Sequence, residues 1–301
     1  MGWSLNTAFF DIAASEKSVL AASDFYIPFE IGPSQADKKT QIMDFKSNLR
    51  TAIALMRPQG SEILFAQYAE DSGKNRFFDL ENMLFYNLGP SAFADCGGHG
   101  ISFSTLPDKA ALCRENGLKN RKHVYRYKCL PLPAVESHFA DLPLMAEWTD
   151  VPLDHREAGT PAKYWKAICC ARDKVTVFDY AESPITSYFA LRIALCLPKE
   201  VRLASTIKPL IDGVVCAFHG EDARCLACLT DFCVRQCCEK LAVPNQFPAV
   251  LGKREFIHPY RDGRSVLWDP ADDLCRLALI TVSYGTEDSL FSGEIYKLPE
   301  C

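Results

Sequence analysis

The sequence predicts an α+β protein of two tandem, diverged lobes, each running strand, long helix, strand, short helix around a small mixed sheet. Three observations carry this. The chain has 301 residues, enough for two ordinary domains. Apolar residues at helical spacing alternate with short β-rich runs, the pattern of a mixed fold. The same order of segments then occurs twice, as in a duplicated unit. A content of 48% hydrophobic and 24% charged residues, without a low-complexity tract, is that of a folded chain.

The first lobe, residues 1–110, opens with candidate strands Ala8–Ala13 and Phe25–Ile31, the second ending at Gly32-Pro33. From Thr40 to Arg57 the residues Ile42, Phe45, Leu49, Ile53 and Met56 share one helical face, and Pro58 and Gly60 end it. Glu62–Ala69 reads as a strand, and a polar stretch to Arg76 leads into Asp79–Leu88. There Leu80, Met83, Leu84 and Leu88 make the apolar stripe of a short helix stopped by Gly89-Pro90.

The second lobe, residues 111–301, follows a polar boundary at Thr105–Arg121 and repeats the order. His123–Leu130 is its strand, Pro131–Gly159 a proline-bearing connection, and Thr160-Pro161 the start of a helix to about Arg172. Tyr188–Leu197 is a strong strand, and Thr206–Phe218 a second short helix. An extra helix over 221–242, strands at Ser265–Trp268 and Arg276–Ser283, and a strand-like tail Leu290–Leu298 complete the chain.

Lys and Arg number 33 against 38 Asp and Glu, a net charge of −5, which excludes a global basic field of the kind that advertises nucleic-acid binding. The longest apolar run, Tyr188–Leu197, contains Arg192 and is far short of a membrane span. Met1–Phe10 lacks the basic start and apolar core of a secretory signal. Fourteen cysteines without such a signal read as thiols of a reducing, intracellular (cytoplasmic) compartment.

The chemistry-bearing motif is Asp79-Leu80-Glu81-Asn82, at a helix start that follows a strand and a polar linker. In this motif and order the chain resembles the RusA-like Holliday-junction resolvases, whose helix begins with a D-L-D-N-like signature and whose later strand adds another acid. The resemblance covers about Phe25–Asp95, with Asp95 the nearest candidate for that acid, and implies Mg²⁺ on Asp79, Glu81 and Asp95. Converging carboxylates hold Mg²⁺ through oxygen and activate water against a phosphodiester. In the second lobe Thr206 and Lys208 stand at the signature positions, and only Asp272-Asp273 offers an acidic pair. On this reading the lobes form a covalent pseudo-dimer with signature acids in one half. The bland alternative is that Asp79 and Glu81 serve the first turn of a helix, where acidic side chains meet free N–H groups.

Cys225-x-x-Cys228 with Cys233, Cys237 and Cys238, and His219 nearby, can be drawn as zinc ligands. Leu226, Leu229, Cys233, Cys237 and Leu241 recur at helical spacing instead, which makes the cysteines packing residues and zinc an unneeded cofactor. Cys169-Cys170 reads the same way. None of the six histidines sits in a nucleophile–base signature, and Cys96-Gly97-Gly98-His99-Gly100 lacks the Lys-Ser/Thr ending of a phosphate loop. Two stretches interleave basic and aromatic residues. On a strand from Lys122, alternation places Lys122, Val124, Arg126 and Lys128 on one face and His123, Tyr125 and Tyr127 on the other. With Lys253, Arg254 and Arg261, these cations are the candidate nucleic-acid contacts, against the reading of an ordinary solvated face.

The expected function is a non-catalytic, RusA-like binding subunit of a larger, nucleic-acid-associated protein complex, without a membrane partner. The alternative is a Mg²⁺-dependent structure-specific endonuclease on branched or flapped DNA, and the nucleic-acid partner expected is branched or single-stranded.

Overall fold

The structure is a computed structural model describing residues 2–71, 79–96, 98–154, 159–178, 187–220, 249–252, 255–259, 266–285 and 287–299. In chain order the strands are β1 (Trp3–Asn6), β2 (Phe10–Ala14), β3 (Ser18–Ser23), β4 (Glu62–Glu70), β5 (Gly100–Thr105), β6 (His123–Pro131), β7 (Leu144–Pro152), β8 (Val175–Val177), β9 (Phe189–Leu197), β10 (Ile257–Pro259), β11 (Val266–Trp268), β12 (Cys275–Tyr284) and β13 (Leu290–Lys297). The α-helices are α1 (Lys39–Ala54), α2 (Lys109–Glu115), α3 (Leu132–Glu136), α4 (Pro161–Cys170) and α5 (Leu203–Ala217). The chain divides into two compact units. One is Met1–Ala140 with Glu200–Ser205 and Arg276–Val282; the other is Asp141–Lys199, Thr206–Cys275 and Ser283–Cys301.

The first unit is a mixed sheet in the order β1-β2-β3-β6-β4-β5-β12. Every neighbour is antiparallel except β4 and β5, which run parallel. Helix α1 covers it as its periodicity predicts, burying Ile42, Phe45, Leu49 and Ile53. The Phe45 ring meets Phe10, Tyr125 and Phe25 at centroid distances of 5.2, 5.7 and 5.9 Å. A separate cluster, including Leu20, Ala69, Val124 and Cys113 of α2, forms a further part of the core.

The second unit carries an antiparallel array β9-β13-β7-β8 and the separate hairpin pair β10-β11. Its packing is tight enough to demand glycine at two positions. A Cβ on Gly213 of α5 would lie 2.3 Å from the Pro161 carbonyl oxygen, and one on Gly293 would lie 2.3 Å from Trp148 Cζ2. The Trp148 ring in turn packs on Phe218 and Phe291. Where β7 meets β13 the register shifts between Phe291 and Gly293. Asp150 takes φ of 50° there, and its N–H donates to Ser292 Oγ at 2.9 Å.

The expected pair of small-sheet lobes is overturned. Eleven strands make up the main β-structure, seven of them in the first unit. Strand β6, which was to open the second repeat, lies between β3 and β4. Its residues His123, Tyr125 and Tyr127 are all buried, as an interior strand requires. The repeated alternation of long and short helices fails as well. In the second unit α4 has 10 residues and α5 has 15, whereas Asp79 precedes only a five-residue π-type turn, Asn82–Tyr86. Phe25–Ile31 is not a strand, because side chains satisfy its backbone: Tyr125 Oη accepts from the Ile27 N–H at 3.1 Å and Asn87 Nδ2 donates to the Ile27 carbonyl at 2.8 Å. The strand falls instead on Ser18–Ser23. The connection Pro131–Gly159 contains α3 and β7. No helix of the described residues is long and apolar enough to cross a membrane.

Candidate functional site

Strand β4 and the turn after it position the signature acids in the first unit. Leu80, Met83, Leu84 and Phe85 are buried, and Phe85 packs on Phe93 and Phe103. The Tyr127 hydroxyl donates to the Leu84 carbonyl at 2.9 Å, tying this turn to the middle of the sheet. The backbone turn is closed by Met83 N–H on the Asp79 carbonyl and widened by Asn87 N–H on the Asn82 carbonyl. Hydrophobic anchoring on one side therefore leaves the acids fixed on the other.

Asp79 and Glu81 come together, each offering a carboxylate oxygen within 4.8 Å of the other. Glu81 is buried. Asp79 is half-buried and lines a pocket of about 460 Å³. Asn82 Nδ2 donates to Asp79 Oδ2 at 2.6 Å, so the signature asparagine orients the first acid. Asp95 does not join them. Its side chain is 59% exposed and pairs with Arg57 Nη2 at 3.4 Å. Two carboxylates are a fitting donor set for Mg²⁺ when substrate phosphate supplies further oxygens.

In the second unit the signature positions carry a different arrangement. Lys208 Nζ pairs with Asp212 Oδ1 at 2.9 Å and also with Asp272. Burial, reinforced by the Asp272 charge and opposed by Lys208, raises the Asp212 carboxyl to about 8. One cation thus serves two acids, and Asp212 holds its proton beyond the usual carboxylate range.

Among the candidate nucleic-acid contacts, Lys122 is exposed and Arg126 and Lys128 are half-buried on β6. Arg126 Nη1 donates to Gln67 Oε1 at 3.1 Å. Burial lowers the pKa of Arg126, opposed by Glu115, and lowers that of Lys128, aided by Arg126. Arg121 of the same basic stretch is structural, bonding Asp11, Asp24 and two backbone carbonyls. Lys253, Arg254, Arg261 and the cysteines Cys225, Cys228, Cys233, Cys237 and Cys238 lie outside the described residues.

No disulfide joins the described cysteines, and on α4 Cys169 is buried and Cys170 exposed. Burial pushes the Cys96 thiol up to about 12 and Cys129 to about 11, away from the thiolate a nucleophile needs. His219 is buried with Nδ1 3.2 Å from the Gly252 carbonyl and Nε2 3.2 Å from the Ala271 N–H. Both ring nitrogens are engaged in holding the chain.

The residues that sequence reasoning passed over are Phe29 and Tyr86, whose rings stack at 4.9 Å and 23° beside Asp79. Both are exposed, at 58% and 46%. The sequence pattern places Phe29 on a strand and Tyr86 on a helix, and the only signal it carries is two aromatics outside any apolar stripe.

No family model matches this chain, and neither does any curated protein or solved structure.

Proposed function

We propose that the chain is a non-catalytic nucleic-acid-binding subunit of a larger complex, with the RusA-like signature in its first unit retained as scaffold. The observation that carries this is the Arg57–Asp95 pair, which holds the third acid of the pattern at the exposed surface and apart from Asp79 and Glu81. In the second unit Lys208 sits between Asp212 and Asp272, where a metal site would need bare carboxylates. Six buried cysteines, with no disulfide among the described residues, accord with a reducing cytoplasmic setting.

A Mg²⁺-dependent endonuclease on branched or flapped DNA is the second reading, favoured by the proximity of the Asp79 and Glu81 oxygens. In that case Asp79 and Glu81 would hold the ion and Asn82 would keep Asp79 oriented. The ion would supply activation of water at the phosphodiester.

Pure protein incubated with four-way, flapped and single-stranded DNA in Mg²⁺ or Mn²⁺, with gel shifts run in parallel in EDTA, tests both. Binding without cutting is the expected result. Metal-dependent cutting that disappears in Asp79→Asn establishes the endonuclease instead, and neither binding nor cutting overturns both readings.

A further inference from the structure

We propose that a groove along α1 binds a single-stranded nucleic-acid segment, with an unpaired base on the Phe29 ring and backbone phosphates on Lys46 and Arg50. This rests on the reading of the chain as a nucleic-acid binder and assigns the strand form and contacts that reading leaves open.

Helix α1 spends one stripe on the core, and a second stripe, Met43, Lys46, Ser47 and Arg50, recurs at the same i, i+3, i+4, i+7 spacing. That second stripe walls a groove of about 500 Å³ whose other side carries Phe29. Among the described residues, two cations line the groove and no carboxylate does. Lys46 Nζ has no hydrogen-bond or ion-pair partner among the described residues. Arg50 Nη2 donates to Ser91 Oγ at 2.7 Å, which restrains the guanidinium at the groove's edge without taking up its charge. Burial first, and then the Arg50 charge, lower the Lys46 pKa. A bound anion relieves the repulsion between the two cations.

The apolar half of the groove supplies the other part of a nucleotide's chemistry. Met43 is 55% exposed, and Phe29 is more exposed still while stacked on Tyr86. The same Phe29 also lines the Asp79 pocket, so the ring stands where a strand passes from the cationic groove toward the acids. Aromatic faces bind bases of any sequence by stacking, but only bases released from a duplex present their faces. Cations beside an exposed ring pair therefore suit a single strand.

The test is fluorescence anisotropy of the full chain with a labelled oligo-dT of about 12 nucleotides. Phe29→Ala is expected to weaken binding about 5- to 100-fold, and Phe29→Trp to retain it. Lys46→Gln with Arg50→Gln is expected to reduce the slope of log K against log salt by about 1.4, two phosphates at about 0.7 each. All three positions reach the surface, and circular dichroism checks that the variants fold. If DNA binds but these variants bind every substrate as the wild type does, the groove assignment falls alone. If the wild type binds no nucleic acid, the broader reading falls with it. A glutamate-rich peptide whose binding the variants abolish, while oligo-dT binding is unchanged, makes the occupant an acidic peptide and overturns the proposal.

Discussion

Arg121 grips the buried Asp11 carboxylate through Nε at 2.9 Å and Nη2 at 3.4 Å. The rest of its guanidinium reaches Asp24 Oδ2 at 2.7 Å and the carbonyls of Thr7 and Ala8. Asp11 is 1% exposed and Asp24 50%, so the two carboxylates should respond unequally to losing this cation. Arg121→Met strands a charge in the interior and should cost about 3–5 kcal/mol in urea unfolding. Asp24→Asn, at the wet end, should cost no more than about 1 kcal/mol. Equal losses would mean that Asp11 is not the partner that matters.

His123 should make the protein acid-sensitive before its carboxylates titrate. Burial, with Lys122 and Lys109 adding to it, lowers the ring to about 4, and Tyr68 Oη lies 2.7 Å from Nδ1. The unfolded ring titrates near 6.5, so the stabilisation is fully present above that pH and is lost as the pH falls toward about 4. At about 1.4 kcal/mol per unit the loss approaches about 3 kcal/mol. His123→Phe should flatten the pH dependence of stability across this window, whatever its absolute stability; an unchanged slope would assign it elsewhere.

Asp212 works in the opposite sense. Its raised pKa means that its contribution is fully present below the unfolded carboxylate range and declines as the pH rises toward about 8. Lys208→Met removes the cation that holds the Asp212 pKa down, so the Asp212 part of its deficit is small at and below neutral pH, where the carboxyl keeps its proton, and grows as the pH rises past about 8. Thermal melts of wild type and variant at about pH 7 and about pH 9 read the difference directly, and a deficit that does not grow over that interval would contradict the assignment.

Gly213→Ala and Gly293→Ala should each destabilise by about 1–3 kcal/mol or more, because backbone and a buried indole cannot give way to the new methyl. Gly32→Ala meets nothing within 4 Å and should be nearly silent. Melting temperatures of the three variants decide it.

The local elements were more legible than their assembly. The spacing of Ile42, Phe45, Leu49 and Ile53 gives α1, and the alternation from His123 gives β6, because both patterns are properties of one segment. The partners of β6 are not, since β3 comes from far upstream in a short apolar run, Ser18–Ser23. Phe25–Ile31 misled for a related reason: its β-like composition serves packing, with Phe25 and Ile27 buried, while Tyr125 and Asn87 from distant segments take its backbone bonds. At the site, Asp79, Glu81 and Asn82 were legible as a motif. The Arg57 partner of Asp95 and the Phe29–Tyr86 stack were not, because each joins residues from separate elements.

Leu277–Thr281 of β12 pair with Gly100–Ser104 of β5 inside the first unit. Ribosomes make β5 long before β12. For most of the chain's synthesis the hydrogen-bonding edge of β5 that β12 later covers is bare, and a bare edge is a template for pairing with another nascent chain. Production of this protein should therefore be limited by the interval between those two strands, and a truncation at residue 140, which leaves that edge bare for good, should go to inclusion bodies even though most of its own sheet can form.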